Sequence, residues 1–597
     1  MKNRAKIALA SPRIKLCDAI ANAYLHIDNA KKADNNGADL IVFPELSLTG
    51  ATARDLYFQE LIIENAIKAL DIYMQGTREL SIMSFVGLPI MASDGAIYNS
   101  VVAISEGKII GISASGARSN QFSAVPQNGV KANILGEEFL LARDNIYTDD
   151  ATRANIFVQI GDDFAYSNSG VNIIINPTAM PEFIGLKKNR QIIAREVTAS
   201  LGTLYVSVGA GMGESGTDGI YAAPRLAAKE GKIIFEAPLF SDDVFYVESD
   251  IKNTPACESG ISAMQTATRF PFVPEDEADR KEACELALEI QARSLAMRME
   301  RSYSKKAILG VSGGLDSTLA VLVAAKAMDI LGYSRDNVVA ITMPCFGTTE
   351  RTKSNALLLS EELGCDTRTI DIKAAVNQHF KDISHDADNY DVVYENAQAR
   401  ERTQILMDVA NAENGLVVGT GDLSELALGF ATYNGDHMSM YAVNASVPKT
   451  LMRVIIKHAA DKSKAEGNDR LSSVLYDVIN TPVSPELLPS DGKETAQHTE
   501  SIVGPYELHD FFLYRIVMYN ESPRKILDLA CELFPEYRKE DIKGYLDIFL
   551  RRFFSQQFKR SCLPDGPRVT QISLSPRGAW QMPSDVSGAI WRESLKD

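Results

Sequence analysis

The run AILGVSGGLDSTLAVLVAAKAM, Ala307 to Met328, constrains this chain more than any other stretch. A short apolar strand pattern, AILGV, meets Ser312-Gly313-Gly314-Leu315-Asp316-Ser317, and an apolar helical pattern follows at once. Strand, small-residue turn and helix in that order make a βα unit. The small residues let backbone N–H groups and two hydroxyls come close to a phosphate chain, and the helix N-terminus adds partial positive charge. The stretch lacks the lysine of GxxxxGK[ST], so it is not a Walker loop. Turn chemistry alone would not require two glycines, two serines and an acid at this spacing.

At 597 residues the chain is several times the usual domain length, which predicts two or three domains. With 45% apolar and 23% charged residues it reads as an ordinary soluble globular protein. No charge-poor apolar run reaches the roughly 18 to 20 residues that cross a bilayer. The opening MKNRAKIALAS is too short and strand-like for a signal peptide, so the expectation is a cytoplasmic protein with no membrane partner. A formal charge of −17 argues against a nucleic-acid surface, which needs clustered Lys and Arg, and leaves room for an anionic ligand in a local basic pocket. The seven cysteines, Cys17, Cys257, Cys284, Cys345, Cys365, Cys531 and Cys562, are odd in number and contain no CxxC. That argues against a disulfide framework and a structural zinc site.

The first 250 residues alternate β-rich runs (KIALAS, ADLIVFPE, IMSFVGLPI, SVVAISEGKIIGIS, IFVQIG, VNIIINP, TLYVSVGA, KIIFEAP) with helical patterns over Cys17 to Asn35 and Asp55 to Gly76, which predicts a layered α/β domain over 1–252. A linker over 253–275 follows, where periodicity lapses and prolines appear. The second domain, 276–597, opens on an acidic helix ending near Arg301. Its predicted strands are AILGVS, VVAITMP, TRTIDI and GLVVGT, and the chain is largely helical after Thr481.

The SGGLDS loop resembles the signature of the ATP pyrophosphatases. Three further blocks, MPCFGTTERTKSNA (Met343 to Ala356), YENAQARERTQILMDVAN (Tyr394 to Asn411) and GTGDLSELALGFATYNGDHMSMYAVNASVPKT (Gly419 to Thr450), together with KRSCLPDGPRV from Lys559, closely resemble NAD synthetase. The resemblance implies a Rossmann-like, adenine nucleotide alpha hydrolase-like domain that binds ATP, Mg2+ and deamido-NAD. On it, ATP falls to Gly310, Val311, Ser312, Gly313, Gly314, Leu315, Asp316, Ser317 and Thr420. Mg2+ falls to the catalytic carboxylates Asp316 and Glu425, both hard oxygen ligands. Deamido-NAD falls to Asn396, Glu425, Phe430, Ala431, Thr432, Tyr433 and Lys559, with Arg400 a further candidate for its phosphates. Asp436 and His437 lie in a polar loop with no second His nearby, which argues for a loop-positioning His and against zinc. The implied chemistry is attack of the nicotinate carboxylate on ATP, loss of pyrophosphate, and attack of ammonia on the adenylate. Positioning and electrostatics carry it, with no protein nucleophile.

The first domain resembles the nitrilase-type amidases fused to such synthetases, an αββα sandwich, through FPELSLTG (Phe43 to Gly50), GLPI…AIYNSVVAISEGKIIG (Gly87 to Gly111), VNIIINPTAMP (Val171 to Pro181) and GAGMGESGTDG (Gly209 to Gly219). That family uses a Glu-Lys-Cys triad. Glu45 stands where the acid belongs, but Ser115 falls at the Lys position and Gly161 at the Cys position. Met180 replaces a small hydroxyl residue, and Leu186 falls where a basic contact belongs, with Lys187 and Lys188 out of register. Four departures together imply a domain that kept its fold and lost its glutaminase. The leading expectation is an NAD synthetase using free ammonia. A conventional glutamine-dependent synthetase is the alternative, and a non-catalytic nucleotide-binding regulator is a third reading of another class. The resemblance also implies a homo-oligomer.

Overall fold

The computed structural model describes residues 3–162, 170–255, 267–347, 350–481 and 504–596. Cys257, part of the predicted linker, Asp163 to Tyr166 of FVQIGDDFAY, and the first residues after Thr481 lie outside them. The chain forms two compact units: Met1–Glu182, Leu186–Ser215 and Ile220–Met264 make the first, and Phe183–Gly185, Gly216–Gly219 and Gln265–Asp597 the second. Among the described residues no helix is long and apolar enough to cross a membrane.

The first unit holds two sheets. One has eight strands in the order β14 (Phe245–Asp250), β1 (Arg4–Leu9), β2 (Leu40–Val42), β3 (Met83–Met91), β4 (Ile97–Ser105), β5 (Lys108–Ala114), β7 (Glu137–Ala142) and β6 (Val130–Ile134). The other has six: β13 (Lys232–Glu236), β12 (Arg225–Lys229), β11 (Leu204–Gly209), β10 (Ile173–Thr178), β9 (Asn155–Val158) and β8 (Ile146–Thr148). Strand alternation sorts the side chains into layers. Leu40 and Val42 of β2 share a buried cluster with Ile173 and Ile175 of β10, so the sheets face each other there. Ile41 and Phe43 point the other way, onto Ala23 and Ile27 of α1 (Ala19–Asn35) and Ala66 and Tyr73 of α2 (Glu60–Thr77). Ile174 packs with Ala194 and Val197 of α3 (Leu186–Leu201). The result is an αββα sandwich.

Local details differ from the sequence reading for identifiable reasons. Cys17 lies outside α1 with φ +63, because Asp18 caps that helix through a bond from the Ala21 N–H. The helix predicted over Asp55 to Gly76 is a 3-10 turn, Ala51–Phe58, and then α2, separated by extended Gln59. SVVAISEGKIIGIS is two strands, β4 and β5, joined by Glu106 and Gly107, both at positive φ as a tight two-residue hairpin requires.

The second unit is built on a five-stranded sheet, β17 (Asp366–Thr369), β16 (Val338–Thr342), β15 (Lys306–Gly310), β18 (Gly415–Gly419) and β19 (Tyr441–Ala442), every adjacent pair parallel. Ala307, Ile308 and Leu309 of β15 are fully buried, as expected of a central strand covered on both faces. The sequence leaves β15 for β16 on one side and returns to β18 on the other. The carboxyl ends of β15 and β18 therefore frame a crevice at the topological switch point. The apolar helical stretches around Leu406 and Leu451 are partly committed to the core: Leu451, Ile455 and Ile456 have no exposure, and Leu406 packs against a buried cluster.

Candidate active site

SGGLDS occupies that switch point. The Val311 N–H still donates to Ile341 O at 2.9 Å, and the chain then turns through Gly313 at φ +86, a left-handed conformation that suits glycine. Ser312 Oγ accepts from the Gly314 N–H at 3.2 Å, and Ser317 Oγ donates to Gly314 O at 3.2 Å, so the two hydroxyls fix the turn. Gly314 is the N-cap of α5 (Leu315–Leu331) and offers no side-chain oxygen to it. The first-turn N–H groups are thus left for an anion.

Asp316, in that first turn, points at two carboxylates from α9 (Leu423–Leu428) and the residue before it. Ligand oxygens of Asp316, Asp422 and Glu425 all lie within 4.8 Å of one another. Lys449, at the start of α10 (Lys449–Ala465), reaches into them. Its Nζ is 2.6 Å from both Asp316 oxygens, 2.8 Å from Asp422 Oδ2 and 3.0 Å from Glu425 Oε1. Burial alone would lower Lys449, but the three carboxylates together hold it well above the ordinary lysine range. Burial pushes Glu425 up to about 7 against the pull of Lys449, with Asp316 adding to the rise, and burial likewise lifts Asp422.

Three carboxylates against one ammonium leave this buried cluster rich in negative charge, and every acid in it is a hard oxygen donor. Its donor set therefore fits Mg2+. The two acids named from sequence are brought together here. Asp422 and Lys449 were not singled out.

Further residues hold the cluster in place. Asn444, with no exposure, donates to Asp316 O at 3.0 Å and Thr420 O at 2.9 Å, and receives Gln291 Nε2 at 2.9 Å, tying the loops after β15 and β18 together. Buried Asp510 accepts from Ser424 Oγ and from the Thr450 N–H and hydroxyl, fixing the start of α10 beside α9.

The candidate dinucleotide residues form a second group just past α9. Gly429 ends that helix at φ +60 and turns the chain into Phe430 to Tyr433. Thr432 Oγ1 donates to Asn396 Oδ1 at 2.9 Å, and the Thr432 N–H donates to Asp436 Oδ1 at 2.6 Å. His437 Nδ1 accepts from the Asn434 N–H at 3.0 Å, and its ring tilts against Tyr433. Lys559 Nζ donates to Gly429 O and Ala431 O at 2.8 and 2.6 Å, and Arg400 Nε donates to Tyr433 O at 3.3 Å. Both cations are thus engaged with carbonyls of this loop. Arg552 on Leu428 O and Arg560 on Leu426 O and Ala427 O add two more at the C-terminal end of α9, where the helix dipole favours positive charge.

In the first unit, Glu45 and Gly161 are close neighbours. A Cβ placed on Gly161 would lie 3.3 Å from Glu45 Oε2 and 4.0 Å from the same carboxyl carbon, its nearest contacts among the described residues outside its immediate chain neighbours. Gly161 sits at φ +60, its N–H donating to Pro177 O at 2.9 Å and its carbonyl accepting from Asn176 Nδ2 at 2.8 Å. Asn99 of β4 donates to Glu45 Oε1 at 2.6 Å, and the Ser115 N–H donates to Asn99 O at 2.9 Å, so the Ser115 position is one ladder bond away. Ser115 Oγ accepts from the Ala117 N–H, and Ser113 Oγ bonds the Tyr147 hydroxyl, so neither is paired there with a general base. Cys17 packs beside the cluster of Leu46 and Tyr57, but burial and then Glu214 raise its thiol, the wrong direction for a nucleophile. Leu186 is buried at the start of α3, and Lys187 lies 3.9 Å from Glu236.

Burial drives Glu45 up to about 7, and Asp162 and Glu214 add to the rise against the hydrogen bond from Asn99. A raised acid favours folding while protonated, so this contribution is present in acid and lost as the pH rises through about 7. Glu45 as a residue is partly exposed, which limits the loss to about 1–2 kcal/mol. Glu45→Gln should therefore raise the melting temperature of the first unit at pH 8 and leave it nearly unchanged at pH 5. An equal shift at both values would sink that assignment.

Residues 287–557 match the NAD synthase family, and residues 6–131 match the carbon-nitrogen hydrolase family. The chain is 32% identical to the glutamine-dependent NAD(+) synthetase of Mycobacterium leprae, over 99% of this chain and 97% of the relative. It is 27% identical to the one from Synechocystis, over 97% of this chain and 98% of the relative. The crystal structure of a glutamine-dependent NAD(+) synthetase from Cytophaga hutchinsonii shares the fold at a TM-score of 0.80, with 20% identity and both chains fully covered. That of Acinetobacter baumannii, in complex with ADP, does so at 0.63, with 22% identity and 98% of each chain covered.

Proposed function

The chain belongs to the family of two-domain NAD(+) synthetases and catalyses NAD+ synthesis, and we propose that it amidates deamido-NAD at the expense of ATP with free ammonia as the nitrogen donor. The observation that carries the donor assignment is Gly161. It stands beside Glu45 where an amidase needs a thiol, and a glycine has no atom that can attack an amide.

In the second unit, the turn Ser312 to Ser317 and the open N-terminus of α5 receive the β and γ phosphates of ATP. Asp316, Asp422 and Glu425 would hold Mg2+, which when bound neutralises charge on the triphosphate. Lys449 supplies a fixed positive charge among these acids and orients them. The loop Phe430 to Tyr433, set by Asn396, Asp436, Arg400 and Lys559, receives the nicotinate end of deamido-NAD. Its carboxylate displaces pyrophosphate from the α-phosphate, and ammonia then displaces AMP from the adenylate to leave the amide of NAD+. The chain's own contribution is alignment and charge placement, with no covalent enzyme intermediate.

The names of the relatives favour a second reading, in which the first unit hydrolyses glutamine to feed the same reaction. It requires a nucleophile other than residue 161. Supplying ammonium or glutamine as sole nitrogen source to purified protein separates the two. NAD+ should form with ammonium, and glutamine should support no more than its contaminating ammonia does. Stoichiometric release of glutamate with NAD+ would establish the second reading instead.

A further inference from the structure

Helix α10 begins without a cap of its own. Its N-cap residue is Pro448, whose side chain has no oxygen to offer the first N–H groups of the helix. Two side chains from elsewhere in the second unit take them. The Lys449 N–H donates to Ser424 Oγ at 2.9 Å, and the Thr450 N–H and hydroxyl donate to Asp510 Oδ2 at 3.0 and 2.7 Å. Ser424 Oγ in turn donates to Asp510 Oδ1. One carboxylate, on a residue only 1% exposed, therefore holds α9 with one oxygen and α10 with the other. Ser424 stands between Asp422 and Glu425 in the chain, and Lys449 is the first residue of α10. The bridge through Asp510 thus sets the Lys449 ammonium against two of the three acids that it meets. Asp510 belongs to the helix Tyr506–Tyr519, and Tyr506, one turn earlier on it, presents its ring to the same ammonium, 5.6 Å from Nζ.

We infer that Asp510 is a positioning residue of the synthetase site: by bridging Ser424 and Thr450 it holds Lys449 Nζ among Asp316, Asp422 and Glu425, with the Tyr506 ring over the ammonium. Asp510 acts on the reaction through Lys449. Without the bridge the start of α10 can shift against α9, and a displacement of about 1 Å at a catalytic group is enough to cost on the order of a hundredfold in rate. The inference rests on the place given to Lys449 in the site proposed above, and it holds with either nitrogen donor.

The test uses the full-length protein as Asp510→Ala and as Asp510→Asn, the second keeping the shape of the side chain. Each is assayed for NAD+ formation with ammonium, and for acylation of Lys449 by acetic anhydride, read by peptide mass spectrometry. Lys449 is 3% exposed and should label slowly in the wild type. We expect NAD+ formation to fall by about tenfold to a hundredfold in Asp510→Ala and by less in Asp510→Asn. Lys449 should label at least about fivefold faster in Asp510→Ala, the scale set by a lost helix cap. Lys306 and Lys326, ion-paired to Glu413 and Glu289 in the same unit, should label as in the wild type. That selectivity is a readout which general loosening of the fold would not produce. Wild-type synthesis in both variants, unchanged labelling of Lys449, or labelling that rises equally at Lys306 and Lys326 would each overturn the inference. If Lys449→Met keeps wild-type synthesis, the place of Lys449 in the site falls, while the labelling still decides whether Asp510 holds it.

Discussion

Asp316→Ala will lower NAD+ formation by at least about a thousandfold with ammonium or glutamine, equivalent to about 4 kcal/mol of transition-state stabilisation. Of the three clustered acids, Asp316 alone belongs to the turn Ser312 to Ser317, and it contributes one of the oxygens that meet within 4.8 Å. On the function proposed above, its loss removes both a ligand of Mg2+ and the link between that ligand and the turn. The same change should not unfold the protein. Asp316 raises both Asp422 and Glu425 by like-charge repulsion, which its removal relieves, while Lys449 loses one carboxylate partner and keeps the other two. Activity should therefore collapse while the melting temperature holds or rises. Pyrophosphate release measured across a Mg2+ titration, beside a thermal melt, checks both halves. A variant retaining a tenth of wild-type turnover would show that the phosphate site lies elsewhere.

The parts of this enzyme that were legible in its sequence are those written in consecutive residues. SGGLDS discloses a strand, a turn and a helix start because each depends on its immediate neighbours, and the β2 and β10 runs disclose their burial through alternation. Glu425 was readable because a long block resembles the family. Asp422, three residues earlier, reads as an ordinary helix cap, and it does cap α9, accepting from the Glu425 N–H at 2.8 Å while its other oxygen faces Lys449. A single side chain does both jobs, and only the local one shows in sequence.

Lys449 was harder to find. It is one of 61 Lys and Arg residues, 133 positions from Asp316, and nothing near it in the chain marks it as buried. Asn444 and Gln291 were invisible for the same reason. Lys559 is a basic residue in a family motif, which suggests a phosphate, and its side chain donates to two carbonyls just past a helix end, a contact that the fold makes and the motif does not show. In the first unit, short strands with charged outer residues such as β6, β7, β12 and β14 escaped because their pattern is set by an edge or by a partner sheet.

Lys449→Met should damage stability as well as activity, in contrast to Asp316→Ala. Lys449 is 3% exposed and is the ion-pair partner of three carboxylates, one of which, Asp422, has no exposure at all. Removing the cation leaves those acids buried together, a situation that costs about 3–5 kcal/mol when one side of a buried ion pair is deleted. For a unit of this size that corresponds to a fall in melting temperature on the order of 10 °C. Methionine keeps most of the side-chain volume, so the loss reports charge rather than a cavity. If the acids form a cation site, Mg2+ should restore part of the lost stability and protect the variant more than wild type, because the ion then replaces the counter-charge that Lys449 supplied. Synthesis should remain low even at saturating Mg2+, since Lys449 also sets where Asp316 and Glu425 point. A variant that melts like wild type, or one that Mg2+ protects no better, would mean that the three carboxylates are neutralised by protons and that the cluster is not a metal site.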